Sequence, residues 1–240
     1  MCIRDRSDAG VHLVVAERDG QVVGSNMAWE LSPITGVGPI TIAPEAQDAS
    51  LGRRLMHHVL ERAEQRGALG VRLVQAAYHN RSLALYSSLG FDAVEPLSVL
   101  QGPALGIAIA GRAVRPAVKG DLEACADLGT ALHGFSRAGE LSRAIADGAA
   151  MVVEREGRIS GYCTGIGFLA HAVGRGNEDV MALIGAAPAF GGPGFLLPTR
   201  NARLLRWCLS RGLRLVQPMT LMKKGFYRQP KGAYLPSVLF

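Results

Sequence analysis

Long apolar runs are missing from this chain, and so is any grouping of its cysteines. The longest apolar-rich stretch, residues 97–109, is broken by Gly102, Pro103 and Gly106. It falls short of the ~18 residues that a membrane-spanning helix needs, so no membrane partner is expected. Cys2, Cys125, Cys163 and Cys208 lie far apart with no C-x-x-C pair among them. That spacing argues against a zinc site or a disulfide framework. The thiols read as free in a reducing compartment, and no metal is expected. No apolar segment follows the N-terminal charges as it would in a secretory signal, so the cytoplasm is the expected location. Aromatic residues are only 6% of the chain. Its Lys and Arg are dispersed, without a basic block or interleaved aromatics, so nucleic acid is not an expected partner.

The 240 residues, 48% apolar and 19% charged, have an ordinary globular balance and room for two domains of about 100–130 residues. The net charge of +6 suits a polyanionic partner such as a phosphorylated cofactor. Residues 1–7, which begin Met-Cys-Ile-Arg-Asp-Arg, read as foreign to the fold, like translated adapter sequence, or else as a disordered N-terminus; neither reading places function there.

Residues 11–17 form an apolar strand, Asp19-Gly20 is a hairpin turn signal, and residues 21–29 form a second strand. The same design returns at 150–154, Glu156-Gly157 and 158–167. Residues 15–24, VAERDGQVVG, align with 152–161, VVEREGRISG, and about half the positions are identical. The shared Glu-Arg-acid-Gly core argues for duplication over chance likeness. In the first half a strand at 37–43 follows, then a helix at 49–66 ending at Gly67, a strand at 71–77, a helix at 80–89 ending at Gly90, and strand material at 91–100. The apolar residues Leu51, Leu55, Val59 and Ala63 recur every four positions along the first helix. The second half reads as helix 178–186, strand 194–197, helix 201–211 and strands over 213–223. Before its hairpin it also has a strand at 112–115 and helices at 121–132 and 139–146. The first half lacks a counterpart of about 30 residues, which reads as a truncated N-terminal copy. The expected fold class is α/β, a mixed sheet with helices packed on it. The expected units are 8–108 and 109–240, meeting in the Gly-rich stretch 102–111.

The stretch from Pro39 to Met56 runs out along a strand, turns through small residues and enters a helix. Unpaired backbone N–H groups and the helix dipole make such a turn a phosphate site. Ala49, Ser50 and Gly52 permit close approach, while Arg53 and Arg54 add charge. One strand later, residues 80–91 read NRSLALYSSLGF.

These two stretches together resemble the GNAT acyltransferase superfamily. The family's acyl-CoA motif, Gln/Arg-x-x-Gly-x-Gly/Ala, is matched by Gln47-Asp48-Ala49-Ser50-Leu51-Gly52. Its later motif is matched by Asn80, Ala84-Leu85-Tyr86 and Leu89-Gly90-Phe91. The resemblance covers residues 11–100. Over 112–240 it is one of topology and hairpin, as in the divergent second domain of tandem GNAT proteins.

The resemblance implies acetyl-CoA as co-substrate and transfer to a primary amine of a small molecule or peptide. The pantetheine arm would lie along the strand edge at Ile40, Ile42 and Ala43. The pyrophosphate would sit on the amides of Gln47, Asp48, Ala49, Ser50, Leu51 and Gly52 beside Arg53, with Asn80 on the pantetheine side. Tyr86 would be the general acid for the leaving thiolate; a phenol with a pKa of ~10 is protonated at neutral pH. Ser50 departs from the family's Gly, at a cost if the backbone needs glycine's freedom. Glu30 is the one weak candidate for a base, and His57 and His58 read as solvent-facing. The second half lacks the phosphate turn and has Trp207 or Cys208 where the first has Tyr86. It is not expected to catalyse, which leaves it to shape the acceptor pocket or to pair two copies as a homodimer. His171, Asn177, Glu178 and Asp179 could line that pocket, with capping the plainer role. The rival reading is a non-catalytic acyl-CoA-binding module.

Overall fold

The computed structural model describes residues 2–8, 10–47 and 50–239. The chain is a mixed α/β protein. Its first half contains strands β1 (Cys2–Asp8), β2 (Val11–Arg18), β3 (Gln21–Trp29), β4 (Ile34–Val37) and β5 (Thr41–Ile42). Helix α1 (Leu51–Gln65), β6 (Gly70–Ala76), α2 (Asn80–Ser88) and β7 (Asp92–Gln101) complete it. The second half contains β8 (Ala113–Pro116), α3 (Leu122–His133), α4 (Ala138–Ala146), β9 (Met151–Arg155), β10 (Arg158–Cys163) and β11 (Ala172–Gly174). It ends with α5 (Asn177–Ala186), β12 (Phe195–Pro198), α6 (Ala202–Ser210), β13 (Arg214–Gly225) and β14 (Ala233–Leu235).

Helix α1 forms where the four-residue apolar spacing predicts it. Leu51, Leu55, Met56, Val59 and Ala63 are all buried and pack on Val14, Ala16 and Ala28 of the sheet. Gly67 stops the helix in the left-handed region at φ 67°. There Ala68 N donates to Ala63 O and Gly67 N to Glu64 O, the bonding that closes helix C-termini.

The two hairpins match beyond their sequence. Asp19-Gly20 and Glu156-Gly157 have φ values of 52° and 79°, and of 52° and 72°, the paired positive φ of the tight hairpin turn. A register shift falls between Ala16 and Glu17 in one ladder and between Ile159 and Gly161 in the other. The extra residues, Val23 and Ser160, are equivalent in the alignment.

Two expectations need correction. Of residues 1–7, set aside as foreign or disordered, 2–7 lie in strand β1, paired antiparallel with β2. β1 pairs with β2 as β8 pairs with β9, and α3 and α4 lie between the strands of the second pair. The single strand expected at 37–43 is two, β4 and β5. The two halves share a sheet. One nine-stranded sheet runs β1-β2-β3-β4-β6-β13-β7-β12, with β5 on β3, so two strands of the second half complete it. The five-stranded sheet β14-β11-β10-β9-β8 belongs to the second half alone.

The order β6-β13-β7-β12 is a palindrome if β6 corresponds to β12 and β7 to β13. The register obeys that symmetry. Leu97 faces Met219 at the centre, Pro96 faces Thr220 and Ser98 faces Pro218. Ala77 N donates to Pro218 O, as Thr199 N does to Pro96 O. Leu97, Val99, Leu196, Met219 and Leu221 form one buried cluster across this seam. Glu95, buried on β7, accepts from Arg200 and from the Tyr234 hydroxyl of the second half. Among the described residues no helix is long and apolar enough to cross a membrane, and no group of three His, Cys, Asp or Glu could hold a metal ion.

Candidate functional site

Strands β4 and β6 pair in parallel from Ile34↔Gly70 to Val37↔Leu73. They then part. The chain of β4 turns through Gly38 and Pro39 to β5, which pairs with β3 at Thr41 and Ile42, while β6 continues to Ala76. The wedge between them opens onto the N-termini of α1 and α2.

Two clefts meet there. The first, of about 850 Å3, is lined by Ile40, Ile42, Gln47, Ser50, Leu51, Gly52, Arg53, Asn80 and Tyr86 among others. Stretches that sequence reasoning joined only by motif thus face one space. Ala43 does not line it; its N–H is held by Val23 O and its side chain packs on the core. Asp48 and Ala49 lie outside the described residues.

Ser50 is the N-cap of α1 with φ 55° and ψ 15°. The backbone there needs the left-handed conformation that glycine adopts freely and an L side chain resists by roughly 1–2 kcal/mol. Ser50→Gly should raise Tm by about 1–2 °C, glycine's extra unfolded-state freedom offsetting part of the relief. Ser50→Val should lower Tm by roughly 3 °C or more, because a branched side chain fits this region worst. Calorimetry on the two variants checks both signs, and equal Tm values would remove the strain argument. Gly52 has another reason to be small: a Cβ there would sit 3.0 Å from Ile42 Cδ1 and 3.4 Å from Leu85 Cδ2.

Cationic groups gather at the mouth of this cleft. Arg53 donates to Ser88 Oγ at 2.8 Å, tying α1 to α2. Arg81 donates to Gln47 Oε1 at 3.3 Å and bridges the turn to the start of α2. Sequence reasoning missed Arg81, although it directly follows Asn80. It also missed His79, whose Nδ1 accepts from Ser82 N at 3.1 Å and caps α2.

The second cleft, of about 930 Å3, is walled by the β4–β6 wedge on one side and by 164–170 and 191–193 of the second half on the other. Tyr86 lines both clefts, as do Ile40, Tyr78, His79 and Ser82. Tyr86 is 7% exposed and packs edge-on against Phe91. Burial raises its pKa above the usual phenol value, with a Ser82 hydrogen bond opposing in part. The phenol is therefore held protonated where the clefts join.

Glu30 is not the base that its strand-end position allowed. Its carboxylate accepts from Arg62 at 2.7 and 2.9 Å and pairs with Arg66 at 3.4 Å. His57 is exposed, but His58 is half-buried and stacks on the buried His12, Nε2 to Nε2 at 3.3 Å. His171, Asn177, Glu178 and Asp179 line neither cleft. His171 bonds Thr164, Asn177 pairs with Asn201 and Glu178 with Arg203. Asp179 accepts from Gly176 N, Ser160 and Arg112.

The second half's counterpart of Tyr86 is Cys208. Leu213 N bonds Cys208 O past Gly212, as Phe91 N bonds Tyr86 O past Gly90. Cys208 is completely buried, and that burial pushes its thiol up to about 12.

Residues 2–91 match the acetyltransferase (GNAT) family. No curated protein matches the chain. Among solved structures, a candidate acetyltransferase from Pyrococcus horikoshii gives a TM-score of 0.72 at 14% identity, covering 94% of this chain and 77% of that one. A GCN5-related N-acetyltransferase from Sphaerobacter thermophilus gives 0.57 at 18% identity, covering 92% and 82%. At these identities the likeness is one of fold, and it spans both halves of the chain.

Proposed function

We propose that this protein transfers an acetyl group from acetyl-CoA to an amine of a small molecule or peptide. The GNAT family of residues 2–91 supports acetyl transfer. The observation that carries the finer reading is Tyr86, a buried phenol at the junction of two clefts. The first cleft fits CoA. The positive end of the fifteen-residue α1, Arg53 and Arg81 suit its pyrophosphate, and Ile40 with the β5 edge at Ile42 suits the pantetheine arm. Asn80, opening α2, would meet that arm. The acceptor would enter from the second cleft, so that the acetyl carbon and the amine meet beside Tyr86, which protonates the departing thiolate.

On this reading the second half is a diverged copy of the first. The matched bulges at Val23 and Ser160 support duplication, as do the symmetric β7–β13 register and the paired caps of α2 and α6. Its role is to complete the sheet and wall the acceptor cleft. The cytoplasm remains the proposed location.

Titration with acetyl-CoA, then with labelled acetyl-CoA and a panel of amines, tests this. Saturation at 100 times Kd should stabilise the fold by about 2.7 kcal/mol, and label should pass to an amine. Stabilisation without label transfer to any amine would favour the binding-module reading, to which the strained Ser50 lends support; absence of both would remove acetyl-CoA.

A further inference from the structure

The second cleft is chemically one-sided. Among the described residues, none that lines it is Asp, Glu, Lys or Arg. Its walls are apolar, with Pro39 and Ile40 facing Ile166, Phe168, Leu169 and Met219. Most of its few polar groups are already engaged. Thr164 Oγ1 accepts from His171 N, His79 caps α2, and Ser82 and Tyr86 bond each other.

Gln75 differs. It lies on β6, two residues beyond Leu73 and so on the same face of the strand. Leu73 belongs to the cluster that contains Tyr86. Gln75 is 5% exposed, and neither its Oε1 nor its Nε2 has a hydrogen-bond partner. A buried amide left unpaired is costly, and in native proteins such groups are almost always satisfied. Gln75 lines this cleft.

We propose that the cleft takes an uncharged, apolar amine bearing an amide, and that Gln75 pairs with that amide through one accepted and one donated hydrogen bond. This rests on the acetyltransferase reading and deepens it. An ammonium ion entering here would lose its hydration with no carboxylate to replace it, so the acceptor enters as R–NH2. An α-amine, with a pKa near 8, is roughly a tenth neutral at pH 7; an alkylamine near 10.4 is neutral in less than about one molecule in a thousand. Weakly basic amines are therefore favoured and polycationic ones excluded. The chemistry balances without a protein base. The nitrogen lone pair forms the C–N bond to the acetyl carbon, the C–S bond breaks, and the thiolate takes the Tyr86 proton. The surplus proton on nitrogen returns through water to the phenolate.

Three acceptors separate the outcomes: L-phenylalaninamide, phenethylamine (apolar, without the amide) and spermidine (a polycation). The intact protein should acetylate phenylalaninamide with kcat/KM at least tenfold above either of the others. Gln75→Leu, and Gln75→Met as a second variant, should cut the phenylalaninamide-to-phenethylamine ratio about tenfold, chiefly through KM. The acetyl-CoA Kd of each variant reports that it is folded. The inference is overturned if spermidine is preferred, if the phenylalaninamide-to-phenethylamine ratio survives in the Gln75 variants, or if phenylalaninamide neither reacts nor binds while acetyl-CoA binds; in those cases the acetyltransferase reading stands. Failure to bind acetyl-CoA would remove that reading and the inference with it.

Discussion

Tyr86→Phe should lower kcat by two orders of magnitude or more while leaving the Kd for acetyl-CoA unchanged. A positioned general acid contributes ~10²–10⁴ in rate, and phenylalanine removes the proton while keeping the ring. The ring is what the fold uses: Tyr86 is buried and packs edge-on against Phe91 at 6.2 Å between centroids. Structure and activity are thus separable at this position. The pH profile adds a second readout. Burial raises the Tyr86 pKa above its usual 10, so the acid form persists through neutrality and is lost only as pH rises through that higher value. The wild-type alkaline limb should lie above pH 10, and the variant should lack it. A variant that kept full kcat across the range would take the acid role away from Tyr86.

Residues 1–108 expressed alone should not fold, and co-expression with 109–240 should restore a cooperative unit. Strand β7 belongs to the first half, yet both its neighbours, β13 and β12, come from the second. Leu97, Val99 and Leu100 are 0–1% exposed; the first two pack on Leu196, Met219 and Leu221, and Leu100 lies in a cluster otherwise made mostly of second-half residues. Re-exposing each costs about 1.5–3 kcal/mol, against a typical stability of 5–15 kcal/mol for a whole domain. β6 would also lose its ladder with β13 from Gly70 to Ala76. Circular dichroism and chemical unfolding check this; a cooperative transition from 1–108 alone would show that the shared seam is dispensable.

Much of the local structure was legible because its causes are local. The spacing of Leu51, Leu55, Val59 and Ala63 marked α1, and the Asp19-Gly20 and Glu156-Gly157 turns marked both hairpins. The two motif stretches identified residues that share one cleft. The split of 37–43 into β4 and β5 was not legible, because an apolar strand has no local sign of where it leaves its neighbour. Nor was β1, whose polar sequence gains its place only by pairing with β2. One missed signal was present. Residues 95–100, EPLSVL, and 217–222, QPMTLM, repeat a proline, an apolar residue and a hydroxyl residue at the centre of the shared seam.

The sequence by itself determined the α/β class, the two stretches that resemble GNAT motifs, the repeated hairpin and the candidate acid, since each depends on residues close together along the chain. Tertiary structure alone decided that the halves exchange strands, that Glu30 is tied to Arg62 and Arg66, and that the second half walls the cleft beside Gln75. Those outcomes depend on which distant segments bury one another's apolar faces. Strand pairing across 120 residues is chosen by the whole sheet, and no window of sequence contains that choice.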